Sequence, residues 1–146
     1  TTEIYTLSLH DALPICFSIP LVPPSMNSLY NVLYGLRRIE LKPEARIWKS
    51  QAKQFIPSWT YQDDTVFVID MEVGKDWKYK NGKWKREDVQ NMGKLVVDTV
   101  CEKLGFDDSR VWTFTCRKRQ DEEGTGIKVR VEEFKGELGV VERSER

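Results

Sequence analysis

The stretch Asp88 to Leu104 limits the possible folds of this chain more than any other. Val89, Met92, Val96, Val100 and Leu104 recur at three- and four-residue spacing, one apolar stripe of an α-helix, and Gly105 supplies the left-handed residue that stops it. Such a helix is stable only when its stripe is buried against other elements. Thr65 to Val73 alternates and is β-branched, which predicts a strand. Val111 to Arg119 and Ile127 to Phe134 predict two more, joined by an acidic, glycine-containing turn at Asp121 to Gly126. Phe17 to Val22 reads as a first strand, ended by Pro23-Pro24, which cannot continue a ladder. A polar loop with Ser25, Asn27, Ser28 and Asn31 follows, then a short strand at Arg37 to Leu41.

Lys42-Pro43-Glu44 opens a second helix, since proline suits the first turn and an acid complements the helix dipole. It is expected to run to about Ile56, with Ala45, Trp48, Ala52 and Phe55 or Ile56 on one face and Arg46, Lys49 and Lys53 on another. Lys75 to Arg86 carries Asn81-Gly82, the signal of a two-residue hairpin. This order predicts one α+β domain with a small mixed β-sheet and two main helices.

Composition removes several function classes. The three cysteines, Cys16, Cys101 and Cys116, are odd in number and lack metal-ligand spacing, so free thiols in a reducing, cytoplasmic setting are expected. No run approaches the roughly eighteen apolar residues of a membrane span. Residues 1–15 resemble the translation of a short-read sequencing adapter, so a non-native segment is expected there, a domain over 16–136 and a frayed tail over 137–146. His10, the single histidine, falls in that segment, which leaves no histidine for acid–base or nucleophilic chemistry. Setting Glu3 and Asp11 aside leaves 21 of the 23 acidic residues against 23 basic ones, so charge distribution must decide whether nucleic acid is a partner.

Without histidine, hydrolysis would rest on carboxylates, lysine and a metal ion. These concentrate at Arg86 to Lys94 and at Gly105 to Val111. The string PPSMN at Pro23 to Asn27, the Pro43-Glu44-Ala45-Arg46 helix start, Asp88-x-x-Asn91-x-x-Lys94 and Gly105-Phe106-Asp107-Asp108-Ser109-x-Val111 together resemble the RusA family of Holliday-junction resolvases. The resemblance covers nearly all of Phe17 to Phe134. It implies an intertwined homodimer and a Mg²⁺-dependent endonuclease (Mn²⁺ as substitute) of DNA recombination and repair. Such an enzyme nicks four-way DNA junctions symmetrically in a bacterial or phage-infected cell. By position, Asp88, Asn91 and Lys94 match the family's D-x-D-N-x-x-K motif, and Asp108 matches its later carboxylate, with Asp107 beside it. The resemblance implies that Asp88 and Asp108 hold the metal with Asp107 and Gln90 assisting, that Lys94 stabilises the transition state and that Asn91 orients the site. Gln90 stands where the family has its second aspartate. Its amide oxygen can coordinate a metal but adds no charge, which opens the alternative of a branched-DNA-binding protein with weakened or lost catalysis.

Two further expectations come from geometry and charge. A helix from Asp88 to Leu104 rises roughly 24 Å, which places Asp88 and Asp108 near opposite ends. Two copies packed with these helices antiparallel would bring Asp88 of one beside Asp108 of the other, a composite site. The segment Lys75 to Arg86 holds six basic residues against Asp76 alone. Lys78, Lys80, Lys83, Lys85 and Arg86 are candidates for phosphate contacts, and Trp84, with Trp77 and Tyr79, for stacking on unpaired bases. Plainer readings stand beside these. Asp88 fits a helix N-cap, Asp107-Asp108-Ser109 an ordinary turn, Lys94 and Asp98 an exposed ion pair, and the hairpin aromatics cross-strand pairs. Trp48, Trp59 and Trp112 are expected in the core, and Arg117-Lys118-Arg119 at a surface strand end.

Overall fold

The computed structural model describes residues 13–24, 30–33 and 38–134. In chain order these form β1 (Ile15–Ile19), β2 (Tyr30–Leu33), β3 (Arg38–Leu41), α1 (Pro43–Lys53), β4 (Val66–Lys75), α2 (Gln90–Leu104), a 3₁₀ turn (Asp108–Arg110), β5 (Val111–Gln120) and β6 (Gly126–Phe134). A four-stranded sheet has the order β1-β6-β4-β5, and β2 and β3 form a separate antiparallel ribbon. β5 runs parallel to β4, while β6 is antiparallel to both β4 and β1, so the sheet is mixed and the fold is α+β, as expected. No helix among the described residues is long and apolar enough to cross a membrane.

The core lies between one face of this sheet and the two helices. Phe67, Ile69, Met71 and Val73 alternate along β4 onto that face and are buried, joined by Ile127, Val129 and Val131 of β6. α2 buries Met92, Val96, Val100 and Leu104 of the expected stripe, with Val89 half-buried just ahead of it, and Gly93, Leu95, Thr99 and Cys101 are covered too, because it packs on α1 as well as on the sheet. Thr99 hides its hydroxyl by donating to the Leu95 carbonyl at 2.6 Å. Gly105 ends α2 at φ 89°, its N–H reaching the Cys101 carbonyl at 2.8 Å. α1 stops at Lys53, short of the expected end, with the next residues in a turn. Ala45, Trp48 and Ala52 are buried as expected, and of the two candidates Ile56 enters the core while Phe55 stays 42% exposed. Lys49 and Lys53, read as a basic stripe, both pair with Glu102 of α2.

Several boundaries differ from the sequence reading, each for a non-local reason. β1 covers Ile15–Ile19 rather than Phe17 to Val22, because its ladder with β6 runs only from Ile15 opposite Val131 to Ile19 opposite Ile127. Beyond it, Gly126 passes so close that a Cβ there would lie 2.6 Å from the Ile19 carbonyl oxygen. β2, with Asn31 opposite Glu40, occupies part of the stretch read as a polar loop. Trp112 is not core: it is 65% exposed at the point where the β4–β5 register shifts, and it stacks on Phe134 with centroids 5.6 Å apart. A residue inserted at such a bulge escapes the in–out alternation. Ser25, Asn27 and Ser28, Arg37, His10 and the 137–146 tail lie outside the described residues.

A candidate active-site groove beside a basic hairpin

On α2, Gln90, Lys94, Val97 and Asp98 fall on one stripe, because residues four and eight apart lie one above another. That stripe faces Val111, Phe114 and Cys116 of edge strand β5 across a groove of about 430 Å³, which Asp108 also lines. Gly93 lets the helix sit this low: a Cβ there would lie 2.5 Å from the Phe114 ring and 3.1 Å from the Cys116 sulfur.

The charges in the groove are linked. Lys94 Nζ lies 3.5 Å from Asp98. The neighbouring Asp107 side chain pushes the Asp108 carboxyl above its ordinary value, with Asp98 adding repulsion and Lys94 opposing it. Asp107 itself is held low, first by the Ser109 N–H, which donates to it at 2.9 Å. Of the adjacent pair, Asp108 therefore protonates the more readily, as expected for two carboxylates in contact. Arg110 fixes the turn that presents them, donating to the Thr65 carbonyl at 2.9 Å and the Asp63 carbonyl at 2.6 Å.

Asp88 stands apart from the groove lining. It lies before α2, which begins at Gln90, and its carboxylate accepts the Gln90 N–H at 2.9 Å while its carbonyl accepts the Asn91 N–H at 3.1 Å. Asp88 thus holds the turn just ahead of the helix, while the N-cap position itself falls on Val89 and carries no side-chain cap. Its charge nevertheless reaches the groove: the Cys116 thiol is pushed up to about 11, chiefly by burial and then by Asp88. At the other end the Cys101 thiol is pushed up to about 12, chiefly by burial and then by Asp108. In the chain the two acids flank α2, Asp88 just before Gln90 and Asp108 in the 3₁₀ turn after Leu104. Of the residues singled out from sequence, Gln90, Lys94 and Asp108 share the groove, whereas Asp88, Asn91 and Asp107 are not among its lining. Among the described residues, no three His, Cys, Asp or Glu side chains group closely enough to hold a metal ion. Of the expected set of Asp88, Asp108, Asp107 and Gln90, only Gln90 and Asp108 line the groove. Asp98 was read only as an ion-pair partner. Its position eight residues after Gln90, on the same helical stripe, was the signal.

The hairpin leading into α2 is basic, as expected, and its parts divide by role. Lys78 pairs across from Trp84. Tyr79 N–H donates to the Lys83 carbonyl at 2.8 Å and Gly82 N–H to the Tyr79 carbonyl at 2.9 Å, with Gly82 at φ 83°. The loop is therefore Lys80-Asn81-Gly82, three residues rather than two, with glycine in the left-handed position that such loops require. Trp77 is not a stacking platform. It is 2% exposed, and its indole N–H points at the carbonyls of Val73 and Arg119. Tyr79 and Trp84 are exposed, at 54% and 62%. Lys80, Lys83 and Arg86 are exposed as well.

β5 adds a residue that the sequence left undecided. Within Arg117-Lys118-Arg119, strand alternation sends Arg117 and Arg119 to the open sheet face, where both pair with Glu72. Lys118 goes to the helix side, its Nζ 4.5 Å from the Trp77 ring centroid and donating to the Glu87 carbonyl at 2.5 Å. Compared with known proteins, the chain matches no protein-family profile and no curated protein.

Proposed function

We propose that the chain is a RusA-like endonuclease that acts as a homodimer on branched DNA and resolves four-way junctions by paired, symmetric nicks. The observation that carries this reading is the groove itself. Lys94 and Asp108, matched to separate motifs of the family pattern, line one cavity together with Gln90, at the foot of a basic hairpin that runs directly into Asp88. In that role Lys94 offsets charge developing on a phosphate, since a fixed cation acts strongly where water is partly excluded.

Among the described residues no three acids converge, yet Mg²⁺ is commonly held by one or two carboxylates together with water and phosphate oxygens, and Asp98 and Asp108 both line the groove. Two copies packed with these helices antiparallel would bring Asp88 of one beside Asp108 of the other, adding a carboxylate to each site. A specific observation also favours a second reading. Gln90, which stands in the groove where the family has an acid, brings a neutral amide, as in a branched-DNA-binding protein without catalysis.

The test is a labelled synthetic four-way junction incubated with the full chain in Mg²⁺ or in EDTA, alongside Asp88→Asn and Gln90→Asp. Paired nicks that need Mg²⁺ and vanish in Asp88→Asn are expected. Binding without nicks, with cutting restored by Gln90→Asp, would leave the binding protein standing. Equal affinity for branched and linear duplex would end both readings. For the composite site, mixed Asp88→Asn and Asp108→Asn subunits should recover one working site per dimer, and no recovery refutes it.

A further inference from the structure

Trp77, Trp84, Lys85, Lys118 and Gln120 line a second cleft, of about 360 Å³, between the hairpin and the end of β5. It shares no lining residue with the groove on α2, and its size lies in the roughly 300–1,000 Å³ range of small-ligand sites. Its floor is fixed. Trp77 is buried, and Gln120 locks onto the hairpin by accepting the Trp77 N–H at 2.8 Å and donating to Asp76 at 2.9 Å. Its wall is open. Trp84 is 62% exposed on this anchored hairpin, with Lys78 Nζ 4.6 Å from its ring centroid.

The nearby acids are engaged. Asp76 is held below its ordinary value, first by the Gln120 amide and then by the Lys78 N–H, and Glu87 pairs with Lys75 at 2.6 Å. Lys118 spends one hydrogen bond on the Glu87 carbonyl and, as an ammonium, has further donors. A fitting ligand is therefore flat, for the indole, and anionic, for Lys85 and Lys118.

We propose that this cleft takes one unstacked nucleotide at the DNA branch, its base on Trp84 and its phosphate at Lys85 and Lys118. This rests on the nucleic-acid reading above and deepens it. In duplex DNA each base is covered by its neighbours, so only a branch point or single strand offers a free base face.

The test compares a short oligothymidylate with an abasic strand carrying the same number of phosphates, each end-labelled and followed by fluorescence anisotropy. The full chain is expected to prefer the strand with bases by roughly tenfold or more, the range for stacking on an aromatic side chain. Trp84→Leu should abolish that preference while keeping salt-dependent binding, Trp84→Phe should retain most of it, and Lys118→Gln should weaken both strands together. Equal affinity for the two strands, or a preference that survives in Trp84→Leu, overturns the proposal. Junction cleavage is read separately: nicking without base preference removes the cleft alone, and base preference without nicking removes the nuclease alone.

Discussion

Two glycines with positive φ separate backbone strain from steric exclusion. Gly126 sits at φ 146° and Gly82 at φ 83°, both disfavoured for a side chain. At Gly82 nothing lies within 4 Å of an added Cβ, so Gly82→Ala meets strain alone. That strain is about 1–2 kcal/mol, partly offset by about 0.4–1 kcal/mol because alanine restricts the unfolded chain. At Gly126 the added Cβ would lie 2.6 Å from the Ile19 oxygen and 3.0 Å from the Pro20 Cα. Both are backbone atoms, so β1 must draw back from β6, adding roughly 1–3 kcal/mol of overpacking to strain of roughly 1–3 kcal/mol. With the same unfolded-state offset applied to both, Gly126→Ala is therefore expected to lose about 1–5 kcal/mol and Gly82→Ala about 0–1.5 kcal/mol. Urea unfolding followed by tryptophan fluorescence reads both, with the midpoint falling at constant slope if only stability changes. A Gly126→Ala loss no larger than that of Gly82→Ala would refute the claim that close approach of the β1 backbone demands glycine there.

Other expectations follow from the same structure. Trp77→Ala should cost about 3–5 kcal/mol in urea unfolding, as for a buried aromatic, while Trp84→Ala stays within about 0.5 kcal/mol; similar losses would contradict their assignment as anchor and surface. Because Lys94 and Asp98 form an exposed pair, Lys94→Gln should change stability by less than about 1 kcal/mol yet suppress junction nicking, and intact nicking would remove Lys94 from the site. Asp98→Asn should impair nicking as Asp108→Asn does, whereas unchanged nicking would leave Asp98 only the partner of Lys94. Since the folded Cys101 thiol titrates near 12 and the unfolded one near 9.0, the unfolded chain binds fewer protons above pH 9 and stability falls as pH rises. The slope is up to about 1.4 kcal/mol per pH unit for that thiol, and Cys101→Ala should flatten alkaline unfolding curves; an unchanged slope would show that the thiol ionises equally in both states.

The parts of this fold that sequence disclosed are those governed by local periodicity. The α2 stripe and the β4 alternation follow from 3.6- and 2-residue repeats, and both lie where the pattern placed them. What sequence missed depends on partners distant in the chain. β1 ends where its partner β6 begins, Trp112 is expelled by a register shift against β4, and Lys118 meets the hairpin only because β5 runs parallel to β4. The candidate site mixes the two kinds. Asp88, Gln90, Asn91 and Lys94 are close in sequence, but each helical residue turns by roughly 100°, so only Gln90 and Lys94 of the four share the groove-facing stripe. The same rotation that turns Asn91 away returns Asp98 to that stripe two turns after Gln90, while Asp88 lies ahead of the helix. The negative charge of the groove therefore comes from Asp98 and Asp108, one reached by helical period and the other by the chain's return along β5. A motif read as a run of neighbouring letters names the first residues of the site, and the geometry of α2 against β5 decides which of them meet.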